Sequence, residues 1–505
     1  MNLSVDSLYA CPREIPPQEK EKIIPALVSV LGLSEDFLRE RLSRNKSFVW
    51  LQRKVSQEQT EAIKKLKVKW LGFIKESKRC YPNLYLASHI IGYSGLDNVG
   101  LDGLELYYDR YLRGQAGWAL IQRDARQNKL DLSEKMIAPY DGYDLVLTID
   151  EVIQYIAERE LEKAFTTFHA KGASIVVMNP HTGEVLALAN RPTFDLNEYP
   201  RADMDARRNR TLTDMFEPGS SFKVVTACAA LESNTVSEQD KFFCENGEYR
   251  VANHILHDHT KHGWLTFSEV IQESSNIGTT KIAQMLGGEA VYRSARMFGF
   301  SSKLGIDLPG EISGSLKEPR FWSKTSICAV PIGQEVGVTA LQLATYISAV
   351  ANGGQLMKPF VVKEIRDKRG ETIKAFLPAM IRKVISVDTA MRMKKILTGV
   401  VDEGTGKLAR IPGVSVAGKT GTAQKLEPNG AYSHNKFVAS FIGFAPVEDP
   451  AIAVVVIVDE PHPYYYGGVV SAPVFKNVAA DVLLYLNTNR SMEDIIALHE
   501  TRLDN

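Results

Sequence analysis

The chain has 505 residues, enough for two to four domains at roughly 150 residues each. Hydrophobic residues make up 44% and charged residues 24%, which excludes a disordered chain, a collagen-like repeat and a coiled coil. Lys+Arg and Asp+Glu are both 60, so no basic excess points to nucleic acid as a partner.

Residues 1–140 are charged and punctuated by Pro12, Pro16 and Pro17. Helices are predicted over 18–31 and again from about 34 to 67. The basic run 64–70 (KKLKVKW) reads as a solvated face. The start, MNLSVDSLYA, lacks the basic residues and apolar stretch of a signal peptide. The longest strong apolar run, 451–458, falls short of the about 20 residues of a membrane span and reads as a buried strand. On these grounds a soluble chain with no export address is expected. Cysteines at 11, 80, 228, 244 and 328 are odd in number and lack a CxxC, against a disulfide framework or a zinc ribbon.

The texture changes near Asp141. A strand is predicted at DLVLTID and a helix over 151–165. A hairpin of 174–178 and 185–189 follows, closed by the turn NPHTGE. Further strands are expected at 414–424, 437–445 and 451–459. The last helix is expected from Pro473 to about Leu486, followed by a loose polar tail over 489–505. A helix packed on a hairpin-built sheet gives an α+β domain.

Three short elements could carry chemistry. In Glu217-Pro218-Gly219-Ser220-Ser221-Phe222-Lys223, Ser220 falls in the first turn of a helix, with Lys223 three residues on and on the same face. A neutral lysine there could take the serine proton, provided burial or a second cation lowers its pKa from about 10.4. Ser274-Ser275-Asn276 offers a hydroxyl and a carboxamide to a cleft, although Ser and Asn also suit a helix cap. Lys419-Thr420-Gly421-Thr422 offers a cation and hydroxyls to an anion. Residues 413–420 also satisfy the phosphate-loop pattern G-x-x-x-x-G-K-[ST] literally, but strand residues surround the match, and no helix is predicted to follow.

The order S-x-x-K, S-x-N, K-T-G, with Ser274 54 residues after Ser220 and Lys419 145 after Ser274, is far more specific than any one element. It resembles penicillin-binding proteins and serine β-lactamases. Gly100-Leu-Asp-Gly-Leu-Glu105, Leu112-Arg-Gly114 and Arg123-Asp-Ala-Arg126 resemble the N-terminal pedestal of class B penicillin-binding proteins. Asn179-Pro-His-Thr-Gly-Glu184, Asn209-Arg210, Ala351-Asn-Gly-Gly354, Gly467-Gly468 and Ala472-Pro-Val-Phe475 resemble their catalytic domain. The stretch before and within the second motif is closer to the division type (FtsI-like).

The resemblance implies a β-lactamase/transpeptidase-like α+β domain, an antiparallel sheet flanked by helices, over 141–488, behind a smaller pedestal (dimerisation-like) domain over 1–140. It implies a peptidoglycan D,D-transpeptidase inhibited by β-lactams. Ser220, Lys223, Ser274, Asn276 and Lys419 would be catalytic, and Thr420, Gly421 and Thr422 would bind the substrate. No metal or organic cofactor is required. Further implied are stem peptides as substrate, a glycosyltransferase of the SEDS family and other division proteins as partners, and a place on the outer face of the cytoplasmic membrane. The family's membrane anchor is absent from this chain, which is expected to begin inside the pedestal. The competing readings are a β-lactamase and a catalytically silent β-lactam-binding scaffold or sensor. His254, His257, His259 and His262, with Cys244 nearby, match no standard zinc spacing and read as loop or surface histidines. Glu217 reads as a cap or salt-bridge partner rather than a base.

Overall fold

The computed structural model describes the chain except for residues 116, 120–121, 124–128, 131–135, 252–253, 428 and 504–505. Most of the Arg123-Asp-Ala-Arg126 match therefore lies outside the described residues. Contacts divide the chain into two compact units, Met1–Leu84 with Tyr93–Leu101, and Tyr85–Gly92 with Asp102–Asn505.

The first unit is built from β1 (Asn2–Ala10), α1 (Pro17–Leu31), α2 (Glu35–Leu42), β2 (Val49–Val55), α3 (Gln57–Lys65) and β3 (Leu71–Arg79). The strands pair antiparallel in the order β2-β1-β3. Leu8, Ile24, Leu27, Leu38, Leu51 and Trp70 meet in one core. The single long helix expected over 34–67 is instead helix, strand, helix. The β-branched and aromatic run Val49-Trp50-Leu51 favours a strand. Ser56 then restarts a helix through a capping box with Gln59.

The second unit begins its ordered framework with β4 (Asp144–Leu147), α4 (Glu151–Thr167), β5 (Gly172–Met178) and β6 (Val185–Arg191). Next come α5 (Lys223–Glu232), α6 (Phe267–Gln272), α7 (Asn276–Leu286), α8 (Ala340–Ala351), β7 (Val362–Arg366), β8 (Thr372–Ala375) and α9 (Val387–Asp402). It closes with β9 (Ala417–Leu426), β10 (Tyr432–Ala445), β11 (Ile452–Asp459) and α10 (Ala472–Leu503). The main sheet has the order β6-β5-β11-β10-β9, with every pairing antiparallel. A smaller sheet has the order β8-β7-β4.

Strand periodicity explains the layering. In β5, Val176 and Met178 join one core while Ile175 and Val177 join another. In β11, Val455 and Ile457 face the first core, and Val454, Val456 and Val458 the second. A strand buried on both faces reads as an unbroken apolar run, as 451–458 does. One face is covered by elements that include α5 and α8, the other by α4 and α10.

Ala87, Ile90, Leu104 and Tyr108 pack into the core of the second unit. Two sequence expectations change here. The final helix continues to Leu503 instead of ending near Leu486, because residues 487–503 contain no Gly or Pro to break its hydrogen-bond ladder. Segment Gly467–Asn487 also has the length and composition of a membrane span. Its apolar residues Val474, Phe475, Val478 and Val482 are buried against the sheet.

Ile175 has no exposed surface. Ile175→Ala is expected to destabilise the second unit by about 2–5 kcal/mol through lost burial and a cavity, read as a lower urea midpoint in equilibrium unfolding.

Candidate active site

The first motif is a tight turn held against the edge of the main sheet. Gly219 adopts φ +54, and a Cβ there would lie 2.7 Å from the Thr422 carbonyl oxygen. Only glycine tolerates both the left-handed backbone and that approach. Residues Gly219–Phe222 form a single 3-10 turn that runs into α5. Phe222, Val224, Val225 and Leu231 are buried, so α5 is a core helix that is apolar nearly all round. It carries Lys223 in with it, with no exposed surface. Ser220, at the helix start, stays half-buried. The Ser221 hydroxyl donates to Pro218 O at 2.8 Å and pins the turn.

The second motif joins α6 to α7. Ser274 sits at φ +59, an uncommon conformation for a residue with a Cβ. Ser275 is the N-cap of α7, its Oγ accepting from Gly278 N at 2.9 Å. The cap reading and the cleft reading of Ser274-Ser275-Asn276 therefore both apply, to different residues.

The third motif lies on β9, with Lys419 opposite Ile442 of β10. β9 is the last strand of the sheet, so among the described residues one of its edges carries no sheet partner. A Cβ on Gly421 would lie 2.8 Å from Pro218 O and close on the Ser440 hydroxyl, which is how β9 reaches the serine turn. The strand and the hairpin that follows it dispose of the phosphate-loop reading of 413–420, which needs a loop opening a helix.

The three elements converge on Ser274. Lys223 Nζ donates to Ser274 O and to Asn276 Oδ1 at 2.7 Å, and lies 3.2 Å from Ser274 Oγ. Lys419 Nζ donates to the same Ser274 Oγ at 2.9 Å and to Thr420 O at 3.3 Å. Thr420 and Thr405 hydroxyls lie 2.9 Å apart, and Thr422 Oγ1 accepts from Gly467 N at 3.0 Å. Ser220, Lys223, Ser274, Asn276, Lys419, Thr420, Gly421 and Thr422 thus occupy three adjoining walls.

Burial pushes the Lys223 amine down to about 7, while the Asp258 carboxylate opposes that shift. Burial also lowers Lys419, with a further contribution from Lys223. From the sequence, either burial or a second cation could hold Lys223 neutral. The structure gives that task to burial first.

Asp258 is the residue that sequence reasoning missed. Its carboxylate accepts from the Ser275 hydroxyl at 2.6 Å, from Asn276 N and from Ile277 N at 3.0 Å. It therefore satisfies the N-terminus of α7 and fixes the second motif. The neighbouring His257 carbonyl accepts from Asn276 Nδ2 at 2.8 Å. The histidine-rich segment read as plain loop is thus a wall of the site, and a cap supplied from 18 residues away leaves no local signal. Among the described residues no cluster of three or more His, Cys, Asp or Glu could hold a metal. Among the described residues Glu217 has no salt-bridge partner. Its Oε1 accepts from Glu335 N at 2.9 Å and Tyr432 OH at 3.2 Å.

Comparison with known proteins decides the family. A model of the penicillin-binding protein transpeptidase domain matches residues 173–480, and one of the penicillin-binding protein dimerisation domain matches 1–147. The chain belongs to the penicillin-binding protein transpeptidase family. Stage V sporulation protein D of Bacillus subtilis is 37% identical over 95% of this chain and 76% of its own length. Peptidoglycan D,D-transpeptidase FtsI of Escherichia coli is 32% identical over 96% and 82%. The crystal structure of penicillin-binding protein 3 from Mycobacterium tuberculosis, complexed with aztreonam, is 31% identical with a TM-score of 0.72, covering 82% of this chain and 91% of that one. A peptidoglycan synthetase from Bifidobacterium adolescentis shares the fold, with a TM-score of 0.77 over 96% and 93% at 22% identity. These matches bear out the α+β transpeptidase fold expected from the motifs.

Carbon-13 NMR of the lysine Cε signals should show Lys223 titrating near pH 7. Asp258→Asn removes a charge that favours the ammonium form, so the midpoint should move to lower pH. An unchanged midpoint would show that the carboxylate does not act on Lys223.

Proposed function

We propose that the chain is a serine-type peptidoglycan D,D-transpeptidase that cross-links stem peptides through an acyl-enzyme on Ser220. The observation that carries this reading is a fully buried lysine one helical turn from a half-buried serine and hydrogen-bonded to both Ser274 and Asn276, whose burial pushes the amine down to about 7. Two short donor contacts, to Ser274 O and Asn276 Oδ1, use two N–H bonds of Lys223. The neutral amine then has a lone pair left for the Ser220 proton.

In this reading the donor stem ends in D-Ala-D-Ala and lies along the free edge of β9 as an added strand. Ser220 Oγ attacks the penultimate carbonyl, and its proton passes to Lys223. Backbone N–H groups of Ser220 and Thr422 hold the oxyanion, each worth about 3–4 kcal/mol. Ser274 passes its proton to the leaving amine as the C–N bond breaks and regains one from Lys223, so D-Ala departs and the lysine is neutral again. Asn276 orients the substrate amide together with the Lys223 amine. Lys419, Thr420 and Thr422 receive the terminal carboxylate, whose negative charge favours the protonated form of Lys419. Gly421 admits the strand to the turn. An amine of a neighbouring stem then attacks the acyl carbonyl, its proton passes by way of Lys223 to Ser220 Oγ as the ester C–O bond breaks, and Ser220 is released. The similarity to Stage V sporulation protein D and to peptidoglycan D,D-transpeptidase FtsI supports a role in wall synthesis, which we place at the septum. The family resemblance implies the outer face of the cytoplasmic membrane and a SEDS-family glycosyltransferase as partner.

Incubation with a fluorescent penicillin tests the assignment. Label should accumulate on one peptide containing Ser220, persist for hours, and be lost entirely in Ser220→Ala. Label shed within seconds would favour the β-lactamase, and no label on folded protein would favour the silent scaffold.

A further inference from the structure

A cavity of about 620 Å³ opens in the larger unit, between the segment 107–111 and the strands around β7 and β8. We propose that it is a binding site for a carboxylate-bearing glycan, and that the polymer whose stem peptides Ser220 processes is held there. The inference rests on the transpeptidase reading for the identity of the polymer. The chemistry of the site stands on its own residues.

The first observation is the aromatic lining. Tyr108 packs edge-on to Phe376, with centroids 6.1 Å apart, and lies 5.2 Å from Tyr107 and 6.2 Å from Tyr111. Tyr107 is 51% exposed. Rings that combine an apolar face with a polar tip suit a sugar, which has C–H faces and a hydroxyl edge.

The second observation is unspent charge. Arg110 is stacked 4.6 Å from the Tyr111 centroid, and Lys374 Nζ lies 4.8 Å over Phe376. Lys358 lines the same cavity and is exposed. Among the described residues none of the three cations has a carboxylate partner. The single acid in the lining, Asp307, is already committed. It accepts from Val361 N at 2.7 Å, Val362 N at 3.0 Å and the Tyr108 hydroxyl at 2.9 Å. The cavity therefore selects an anion.

The arrangement also discriminates among anions. A lone phosphate is held where several donors converge on one point. Here Arg110 lies against Tyr111 and Lys374 against Phe376, so each of these cations is paired with a ring. That pairing fits a ligand in which apolar sugar faces alternate with carboxylates, the repeat of a glycan bearing stem peptides. A concave cavity suits a chain better than the flat plane of a membrane surface.

The test uses the full chain and a disaccharide–tetrapeptide dimer released from peptidoglycan by a muramidase. Binding is measured by calorimetry on the untreated protein and on protein saturated with penicillin. Lys358→Glu/Lys374→Glu and Tyr107→Ala alter exposed side chains, so their rate of penicillin labelling should match the parent and report an intact fold. The double charge reversal should weaken muropeptide binding by about tenfold or more, in the untreated and the penicillin-treated protein alike, and Tyr107→Ala should weaken it too. Equal binding by parent and variants would overturn the proposal. So would binding that vanishes once the parent is penicillin-treated, or none in the parent at all. Variants that lose phosphatidylglycerol vesicles but keep the muropeptide would assign the surface to lipid and overturn it as well. Failure of penicillin to label the parent would sink the transpeptidase reading alone, because the untreated protein and its variants still decide the glycan site.

Discussion

Two lysine amines with no exposed surface meet at one serine hydroxyl, and the second unit is organised to tolerate that meeting. Isolated buried ammonium groups are expensive, so such groups shift towards neutrality or acquire partners. Here both happen. Burial lowers both lysines, and every hydrogen-bond partner recorded for them is a neutral oxygen. The Asp258 carboxylate acts on Lys223 in the opposite sense to burial and favours the ammonium form. The same carboxylate caps α7, so the charge that tunes the lysine also fixes Ser274 and Asn276 around it.

The sheet contributes the second constraint. A terminal strand with an open edge is ordinarily a liability, because its backbone groups invite pairing with another chain. In β9 that edge lies beside the Ser220 turn, and the absence of side chains at Gly219 and Gly421 lets the two backbones approach closely. The core on either face of the sheet leaves β9 little freedom to shift, since Ala417 joins one core and its partner strand supplies Phe441 to the other. Rigidity behind the site and openness at its edge are the conditions for preorganised donors facing a peptide that enters as a strand.

How much of this the sequence reveals depends on the range of the interactions. The β5–β6 hairpin, β10 and β11 are legible because both faces of these strands are buried and their apolar runs are bounded by Pro/Gly turns. Ser220, Lys223, Ser274 and Lys419 are legible because their order and spacing are distinctive, although no single element is. Strand β2 is lost because charged neighbours and the helices on either side blur a seven-residue run. Asp258 is lost for a different reason. Its partners lie 17 to 19 residues away, so its meaning exists only after the chain has folded. The burial that lowers Lys223 belongs to the same class. A lysine in an apolar helix looks like any snorkelling side chain until the helix is seen to be enclosed.

The account stands or falls on the neutral amine of Lys223. The most direct measurement is the second-order rate constant for acylation of Ser220 by benzylpenicillin, followed by stopped-flow fluorescence across the neutral pH range. Below its pKa the ammonium has no lone pair to take the serine proton, so the rate constant should climb as pH rises through about 7 and level off above it. A rate constant that is flat through neutrality, or that falls as pH rises, would contradict a buried lysine acting as the base.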